Sequence, residues 1–435
     1  MAGPRQFRAL RFRNYRLFFF GQLVSLIGTW MTTVATAWLV YRLSGSAALL
    51  GLVAFSSQIP AFLIAPVAGV LVDRWNRRRV LIVTQALAML QSFALAALAI
   101  SGAITVPHIL VLCILQGLIN AFDIPARQAF VMDVVDDPSD LANAIALNST
   151  VFNGARLIGP AIAGVLVAWV GEGSCFVIDG VSYLAVIVAL AAMRLAARPQ
   201  PVHSRSVARD LRDGLKYISQ FPPIRALLQL VALVSLLGIP YGVLMPVFAR
   251  EILHGGPGTL GLLMASSGLG ATVGALYLAS RRTVLGLGRV IVFMTALFGV
   301  SLVAFACSRN LWLSVALMAV GGFGMLVQMA ASNTIIQTIV DEDKRGRVMS
   351  FYAMAFMGMA PFGSLLAGSL ASRIGAPRTL MIGGVGCLGA AALFAAQLPE
   401  LREFIRPIYI KKGILPQVAT GLEAATQLLR PPEEG

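Results

Sequence analysis

Residues 69–81 read GVLVDRWNRRRVL and join two long apolar runs, and this stretch is the most specific string in the chain. Gly69 would let another helix approach closely, and Asp73 could face either a helix N-terminus or the neighbouring arginines. We expect left-handed backbone geometry in a tight turn at Asn76, because asparagine tolerates it better than most residues. An ordinary basic loop would explain the arginines, but not the glycine, aspartate and leucine at these intervals.

The rest of the chain is apolar enough to lie largely in lipid. Of its 435 residues, 58% are hydrophobic and only 12% are charged, and the mean hydropathy is +0.81. Uncharged runs of about 18 residues or more can cross a hydrocarbon core, where only a helix satisfies their backbone. The sequence therefore predicts an all-α integral membrane protein with twelve transmembrane helices, at residues 15–41, 46–72, 79–101, 106–132, 143–170, 173–194, 224–250, 258–280, 288–307, 311–338, 347–372 and 376–397.

The basic residues are distributed unequally between the two sides of these spans. If the first span runs outwards, 27 of the 34 lysines and arginines fall in inner segments, and the outer turns hold only Arg42, Arg250, Arg309, Arg373 and Arg378. This asymmetry follows the positive-inside rule and predicts that both termini are cytoplasmic. It also explains the net charge of +15 without a nucleic-acid partner.

Residues that carry chemistry in enzymes are sparse. The four cysteines stand singly in apolar runs, and the three histidines lie near predicted span ends or loops, without a metal or nucleophile motif. No ATP-binding motif is present, so transport energy would come from an ion gradient or from the substrate's own gradient. We therefore expect no enzymatic activity, no cofactor and no metal.

A polar stretch divides the spans into six plus six. The sequence predicts an N-terminal six-helix bundle over residues 1–194, a cytoplasmic linker over 195–223, a C-terminal six-helix bundle over 224–398 and a cytoplasmic tail over 399–435. Apolar residues in the linker recur at helical spacing opposite a charged face, which is typical of a helix in the membrane interface. Transporters built from two such bundles hold their substrate between the halves near the bilayer midplane.

The string at residues 69–81 resembles the loop motif of the major facilitator superfamily, G-x-L-x-D-R-x-G-R-R-x-x-L, with Asn76 where glycine is usual. Further matches are similar to the branch that holds macrolide-efflux and enterobactin-exporter-like proteins, and they lie at residues 47–51, 60–66, 125–127, 142–144 and 209–218. The resemblance covers nearly the whole chain and implies the major facilitator fold. It also implies that Asp73 and Arg77 join a charge network with Asp133. The same conformational loop would include Gly69, Arg74 and Arg78.

The fifth span contains small residues and a proline at Gly154, Gly159, Pro160 and Gly164. Small residues allow close helix packing and proline removes one helix hydrogen bond, so this helix can pack tightly and bend. The pattern is similar to the antiporter motif of drug:proton exchangers, with Ala163 in place of one glycine. A simple packing face uses the same atoms and is the alternative interpretation.

Two acids and two arginines within the spans are the candidates for proton coupling. Arg156 lies about thirteen residues into a span, where an arginine costs about 2.5 to 3.5 kcal/mol even on a lenient scale and needs an anion or a wet cavity. Its candidate partners are Asp123 or an anionic substrate, although Arg127 could pair with Asp123 along the helix, and a structural ion pair is the alternative. Proton coupling needs a buried carboxylate, which makes Asp123 the first candidate and Asp179 the second, although Asp179 could instead be interfacial.

Polar and sulfur-containing residues within the spans are candidates for the wall of a substrate cavity, namely Gln22, Gln58, Asn120, Gln328, Asn333, Met354 and Met357. Thioethers suit a pocket that accepts varied apolar shapes, although methionine is also ordinary packing in membrane helices. Glycine and proline break the seventh span at residues 238–242, which is typical of a gating bend.

These features predict a secondary active transporter in the bacterial inner membrane. We expect it to export amphiphilic small molecules of the drug or siderophore type by proton antiport with alternating access, as a monomer surrounded by lipid. The alternatives are a non-coupled facilitator or an uptake carrier of the same fold, and a membrane scaffold or sensor that does not transport.

Overall fold

A computed structural model of the protein describes residues 5–135, 137–194, 207–281 and 283–414. Within these ranges the chain is helical and contains no strand, which confirms the all-α prediction. The first half consists of α1 (Arg13–Ser44), α2 (Ala47–Arg74), α3 (Arg77–Ile100), α4 (Val106–Val134), α5 (Leu141–Val170) and α6 (Glu172–Ala192). After α7 (Val207–Gln220), the second half consists of α8 (Pro222–Leu237), α9 (Tyr241–Val247), α10 (Pro257–Ser280), α11 (Leu287–Cys307), α12 (Leu311–Ile339), α13 (Arg345–Ala353), α14 (Met359–Ile374) and α15 (Ala376–Lys411).

Twelve helical segments of the described ranges are long and apolar enough to cross a membrane, which confirms the predicted number of spans. Two of these spans are interrupted. A single span over Pro222–Ile252 contains α8, α9 and a π-helical turn at Phe248–Ile252, and another over Arg345–Ile374 contains α13, a π-helical turn at Met354–Gly358 and α14. The chain is therefore a multi-pass membrane protein.

The seventh span breaks where glycine and proline were expected to interrupt it. The helix α8 ends at Leu237 and α9 begins at Tyr241. Pro240 has no N–H group to continue the helical ladder. Space is also tight here, because a Cβ on Gly238 would lie 2.5 Å from the Phe298 ring. The predicted break is confirmed, and its role as a gate stays a prediction.

The start of α1 and the helix α7 lie on the same side of the bundle, which we call the linker side. The other side is called the opposite side. A 3₁₀ segment at Arg5–Arg11 is tied to the start of α5, where Arg11 pairs with Asp140 at 2.8 Å. The helix α7 rests on the second half, because the Tyr217 hydroxyl donates to Asp341 at 3.4 Å. The cytoplasmic location of this side stays a prediction.

The last helix extends further than expected. The twelfth span was predicted to end at residue 397, but α15 continues through Pro399 and Pro407 to Lys411. The predicted linker residues 195–206 and the predicted tail beyond residue 414 lie outside the described residues.

Glycine residues bring the two halves into backbone contact along two seams. In the first, α2 crosses α14, and a Cβ on Gly368 would lie 2.6 Å from the Ala47 carbonyl oxygen. In the second, α5 crosses α10, and a Cβ on Gly261 would lie 2.5 Å from the Pro160 carbonyl oxygen. Both contacts lie towards the opposite side, where the Tyr41 hydroxyl also donates to Glu251 of the second half. The structure is therefore closed on the opposite side.

Candidate transport site

The motif at residues 69–81 builds a charge network on the linker side. One guanidinium nitrogen of Arg77 donates to Asp133 at the end of α4 at 3.1 Å, and the other donates to Asp73 at the end of α2 at 3.4 Å. Arg77 is largely buried, whereas the Asp73 side chain is 66% exposed. The structure therefore brings together the three residues that the family resemblance relates. Of the other two arginines of the loop, Arg78 donates to the Ala191 carbonyl at 2.8 Å, and Arg74 is exposed.

Two predictions for this loop were wrong: the backbone conformation at Asn76 and the close helix packing at Gly69. Asn76 does not adopt left-handed geometry, because its φ of −67° and ψ of 107° are extended. It instead caps α3, where its side-chain oxygen accepts a hydrogen bond from the Arg79 amide at 3.1 Å. A helix N-terminus needs such an acceptor, and asparagine is among the best. Gly69 is not in close contact either, since a Cβ there would meet nothing within 4 Å.

The glycines of the fifth-span motif contact two different helices. A Cβ on Gly159 would lie 2.6 Å from Trp30 of α1, whereas a Cβ on Gly164 would lie 3.0 Å from Gly261 of α10. A Cβ on Gly154 would meet nothing within 4 Å. Pro160 is buried, and its carbonyl oxygen faces the same glycine of α10. Three of the four motif residues thus lie at helix contacts, and one of these contacts joins the halves.

Asp123 is buried, and its charge is compensated by a cation of the same helix. It forms an ion pair with Arg127, one helical turn later on α4. Its carboxylate also accepts hydrogen bonds from Thr84 and Gln85 of α3, both at 2.8 Å. Of the two pairings considered from the sequence, the structure shows the one along the helix and does not pair Asp123 with Arg156. The four-residue spacing puts Asp123 and Arg127 on one face of α4, whereas Arg156 lies on another helix.

Asp179 is buried as well, but its partners are neutral. The carboxylate accepts hydrogen bonds from the hydroxyls of Ser92 on α3 at 2.8 Å and Thr32 on α1 at 2.9 Å. The second oxygen has no hydrogen-bond partner, and among the described residues no cation pairs with this acid. With 1% of its surface exposed, Asp179 is buried inside the first half, and its depth relative to the membrane interface stays a prediction.

Sequence reasoning missed the side chains that hold these two acids. Thr84 and Gln85 contact Asp123, and Ser92, two turns further along α3, contacts Asp179. A signal was available, because Thr84, Gln85, Gln91 and Ser92 recur at a seven-residue spacing within an apolar span. Such a spacing places polar residues on one helix face.

Arg156 reaches from the first half to the second at mid-depth. One guanidinium nitrogen lies 3.5 Å from the Tyr241 hydroxyl of α9, and that hydroxyl is 2.6 Å from Ser267 Oγ of α10. The guanidinium carbon also lies 5.8 Å from the centre of the Trp30 ring. Among the described residues, no carboxylate lies within ion-pair distance of this arginine.

Of the residues proposed to line a substrate cavity, two are buried and the others are at least partly exposed. Gln22 and Gln328 are buried in helix packing, with 4% and 0% of their surfaces exposed, so neither lines an open cavity here. The others have accessible surface, and Met357 is half-exposed. Gln58 donates to its own helix at Ala54, Asn120 accepts from Gln116, and Asn333 accepts from Gln337. Met354 is exposed beside Met357 in the π-helical turn of the eleventh span.

In the described part of the chain, no group of three or more histidines, cysteines, aspartates or glutamates could hold a metal ion. The charged residues Asp123, Asp179 and Arg156 lie within the predicted spans and have ionic or hydrogen-bonding contacts there. Asp123 and Asp179 lie within the first half, and Arg156 lies at the boundary between the halves.

The sequence matches the family described as transmembrane secretion effector over residues 5–408. It is 30% identical over 402 residues to the multidrug efflux pump Tap of Mycobacterium tuberculosis, a match that covers 89% of this chain and 94% of that protein. It is 25% identical over 380 residues to the staphyloferrin A transporter of Staphylococcus aureus, covering 87% of this chain and 95% of that protein. Both relatives are thus matched over nearly their full length.

The fold is similar to that of solved transporters. A bacterial homologue of the human lysosomal transporter Spinster, in an inward-facing and unoccupied conformation, superposes with a TM-score of 0.69 at 14% sequence identity. The match covers 92% of this chain and 98% of that chain.

Proposed function

We propose a function from one premise: this chain belongs to the transmembrane secretion effector family of the major facilitator superfamily. The resemblance seen in the sequence indicated the same superfamily. The chain is a multi-pass membrane transporter, and we propose that it exports amphiphilic small molecules of the drug or siderophore type across the bacterial inner membrane. The full-length matches to a multidrug efflux pump and a siderophore transporter support this substrate range.

Export is proposed to follow alternating access by one protein chain. The seams between α2 and α14 and between α5 and α10 close the opposite side through glycine contacts. Backbone contacts without intervening side chains can separate and re-form as two rigid halves rock about a central site. The charge network of Asp73, Arg77 and Asp133 lies at the other end of the first half, where we propose that the loop stabilises one of the conformational states.

Proton exchange is proposed to supply the energy, and Asp179 is the residue that we propose carries the proton. The single observation that supports it is the difference between the two buried acids. The charge of Asp123 is offset by Arg127, whereas Asp179 has only hydroxyl donors. Burying an uncompensated charge is costly, so binding a proton removes a larger electrostatic cost at Asp179 than at Asp123. The contacts thereby reverse the order of candidates drawn from the sequence.

Proteoliposomes with an imposed pH gradient test this proposal. The wild-type protein should accumulate an amphiphilic drug, such as a macrolide, against its gradient, and a lumenal pH dye should report proton movement in the other direction. Asp179→Asn should abolish uphill accumulation but retain downhill exchange, because the substitution preserves the side-chain volume and removes only the titratable group. Asp343→Asn, at an exposed acid on the linker side, is the matched control and should transport normally.

Each alternative function gives a different result in this assay. Uphill accumulation by Asp179→Asn would move the proton site to Asp123, which Asp123→Asn would then test. Wild-type flux that ignores the pH gradient would indicate a facilitator, and accumulation in the reverse direction an uptake carrier. A folded protein that moves neither protons nor amphiphiles would support a scaffold or sensor.

A further inference from the structure

We propose that Arg156, with Tyr241 and Trp30, forms an anion subsite that selects amphiphiles carrying a carboxylate beside an aromatic or apolar body. The inference rests on the proposed export function, because it names the class of substrate that the same central site would take. It concerns recognition, and it is independent of which acid carries the proton.

The position of Arg156 is fixed by backbone packing between the halves. A Cβ on Gly268 of α10 would lie 2.8 Å from the Arg156 carbonyl oxygen, so the two helices touch at this residue. Arg156 stands near the middle of α5, which spans Leu141–Val170. The guanidinium thus lies at mid-depth and at the boundary between the halves, where transporters of this architecture hold their substrates.

The guanidinium has hydrogen-bonding capacity that the protein does not use. Among the described residues, its single hydrogen bond is to the Tyr241 hydroxyl, at the long distance of 3.5 Å, although arginine has five N–H donors. The side chain is part-buried, and none of its nitrogens is among the buried atoms that lack a partner. The remaining donors are therefore accessible to a ligand.

In the described ranges, no acid lies within ion-pair distance of this arginine. Asp123 is paired with Arg127, and Asp179 is bonded to Ser92 and Thr32. An arginine at this depth costs about 2.5 to 3.5 kcal/mol on the lenient scale unless an anion or water compensates it. A ligand carboxylate would supply that compensation, because the planar guanidinium fork matches two carboxylate oxygens.

Aromatic residues of both halves lie near the guanidinium. Trp30 lies 5.8 Å from it, and Phe152, one turn before Arg156 on α5, packs edge-on against Trp30 and is 47% exposed. On the other half, Tyr241 packs edge-on against Phe298. A charge beside accessible aromatic surface fits an amphiphile with an aromatic body better than a small inorganic anion.

The test is equilibrium binding of 2-naphthoate and its neutral isostere 2-naphthamide to the full chain in lipid nanodiscs. The wild-type protein should bind the carboxylate about tenfold more tightly or better, the effect expected for a charge-assisted hydrogen bond. Arg156→Gln should bring the two affinities to within about twofold, whereas Arg156→Lys should retain part of the preference. Tyr241→Phe should weaken it, because the substitution removes the hydroxyl and keeps the ring.

Arg42→Gln is the matched control, since Arg42 pairs with Glu172 near the opposite side and should not influence the preference. Equal affinity in the wild-type protein, a preference that persists in well-folded Arg156→Gln, or undetectable naphthoate binding would each overturn the subsite. Chloride that competes as strongly as naphthoate would overturn the substrate class. If the protein prefers 2-naphthoate to 2-naphthamide but moves no substrate, the export proposal alone is overturned. If it transports substrate but shows no preference for 2-naphthoate, the subsite alone is overturned.

Discussion

At the scale of single residues, three charged residues within the spans have different kinds of partner. Asp123 has a cation on its own helix, Asp179 has hydroxyls from two other helices, and Arg156 has a tyrosine from the other half. Because lipid and packed apolar side chains solvate no charge, the partner of each group decides whether it is structural or available for exchange. Asp123 therefore has the contacts of a structural ion pair.

This difference predicts the stability of variants at the ion pair. Arg127→Gln should lower the Tm in detergent by several degrees, because removing one partner of a buried pair leaves a buried charge and costs about 3 to 5 kcal/mol. Adding Asp123→Asn should restore much of the loss, since the double variant carries no unpaired charge. Arg309→Gln, at an exposed arginine, should leave the Tm unchanged. A double variant less stable than Arg127→Gln would contradict the assignment.

At the scale of helices, the two seams depend on glycine for close packing. A side chain at Gly261 or Gly368 would collide with the backbone of a helix from the other half, at 2.5 and 2.6 Å respectively. Small residues at a crossing allow helix backbones to touch, and in lipid such packing replaces the hydrophobic effect as the source of attraction. If transport follows the proposed alternating access, the strength of these seams would set the balance between the conformational states.

The seam predicts that Gly261→Ala shifts this balance towards opening on the opposite side. Overpacking costs about 1 to 3 kcal/mol, which would change the ratio of states roughly fivefold to 150-fold. Spin labels at Ser44 and Ser372, which end α1 and lie near the end of α14, should report a longer distance. Gly154→Ala on α5, where a Cβ would meet nothing within 4 Å, is the control. An unchanged distance in Gly261→Ala would argue against a role for the seam.

At the scale of the whole molecule, the uneven distribution of basic residues implies an orientation in the membrane. The linker side carries most of the arginines and lysines, including those of the loop at residues 74–79. Positively charged loops are retained on the cytoplasmic side during insertion. Export would then move substrate from the linker side to the opposite side.

Cysteine labelling checks this orientation in a variant whose four native cysteines are replaced by serine. A membrane-impermeant maleimide should label Ser372→Cys in intact cells, because Ser372 lies on the opposite side near the end of α14. Ser204→Cys, in the linker outside the described residues, should react only after permeabilisation. Labelling of Ser204→Cys in intact cells would reject the predicted orientation.

The sequence by itself determined the twelve spans, the break in the seventh span and the family. These properties are encoded locally, because a span is a continuous apolar run and the loop motif is a string at residues 69–81. The end of α15 shows the limit of this reasoning, because the predicted end of the last span differs from the observed one. Prolines and polar residues after residue 397 indicated a tail, but the helix continues to Lys411.

Only the tertiary structure decided the partners of the membrane-embedded charges. Composition indicated that Asp123 and Arg156 needed partners, but the rotation of each helix determines which faces meet, and hydropathy does not encode that rotation. For the same reason Gln22 and Gln328 were expected at a cavity and are buried in helix packing. Thr32 and Ser92 come from helices far apart in sequence, so only the packing of α1, α3 and α6 brings them to Asp179.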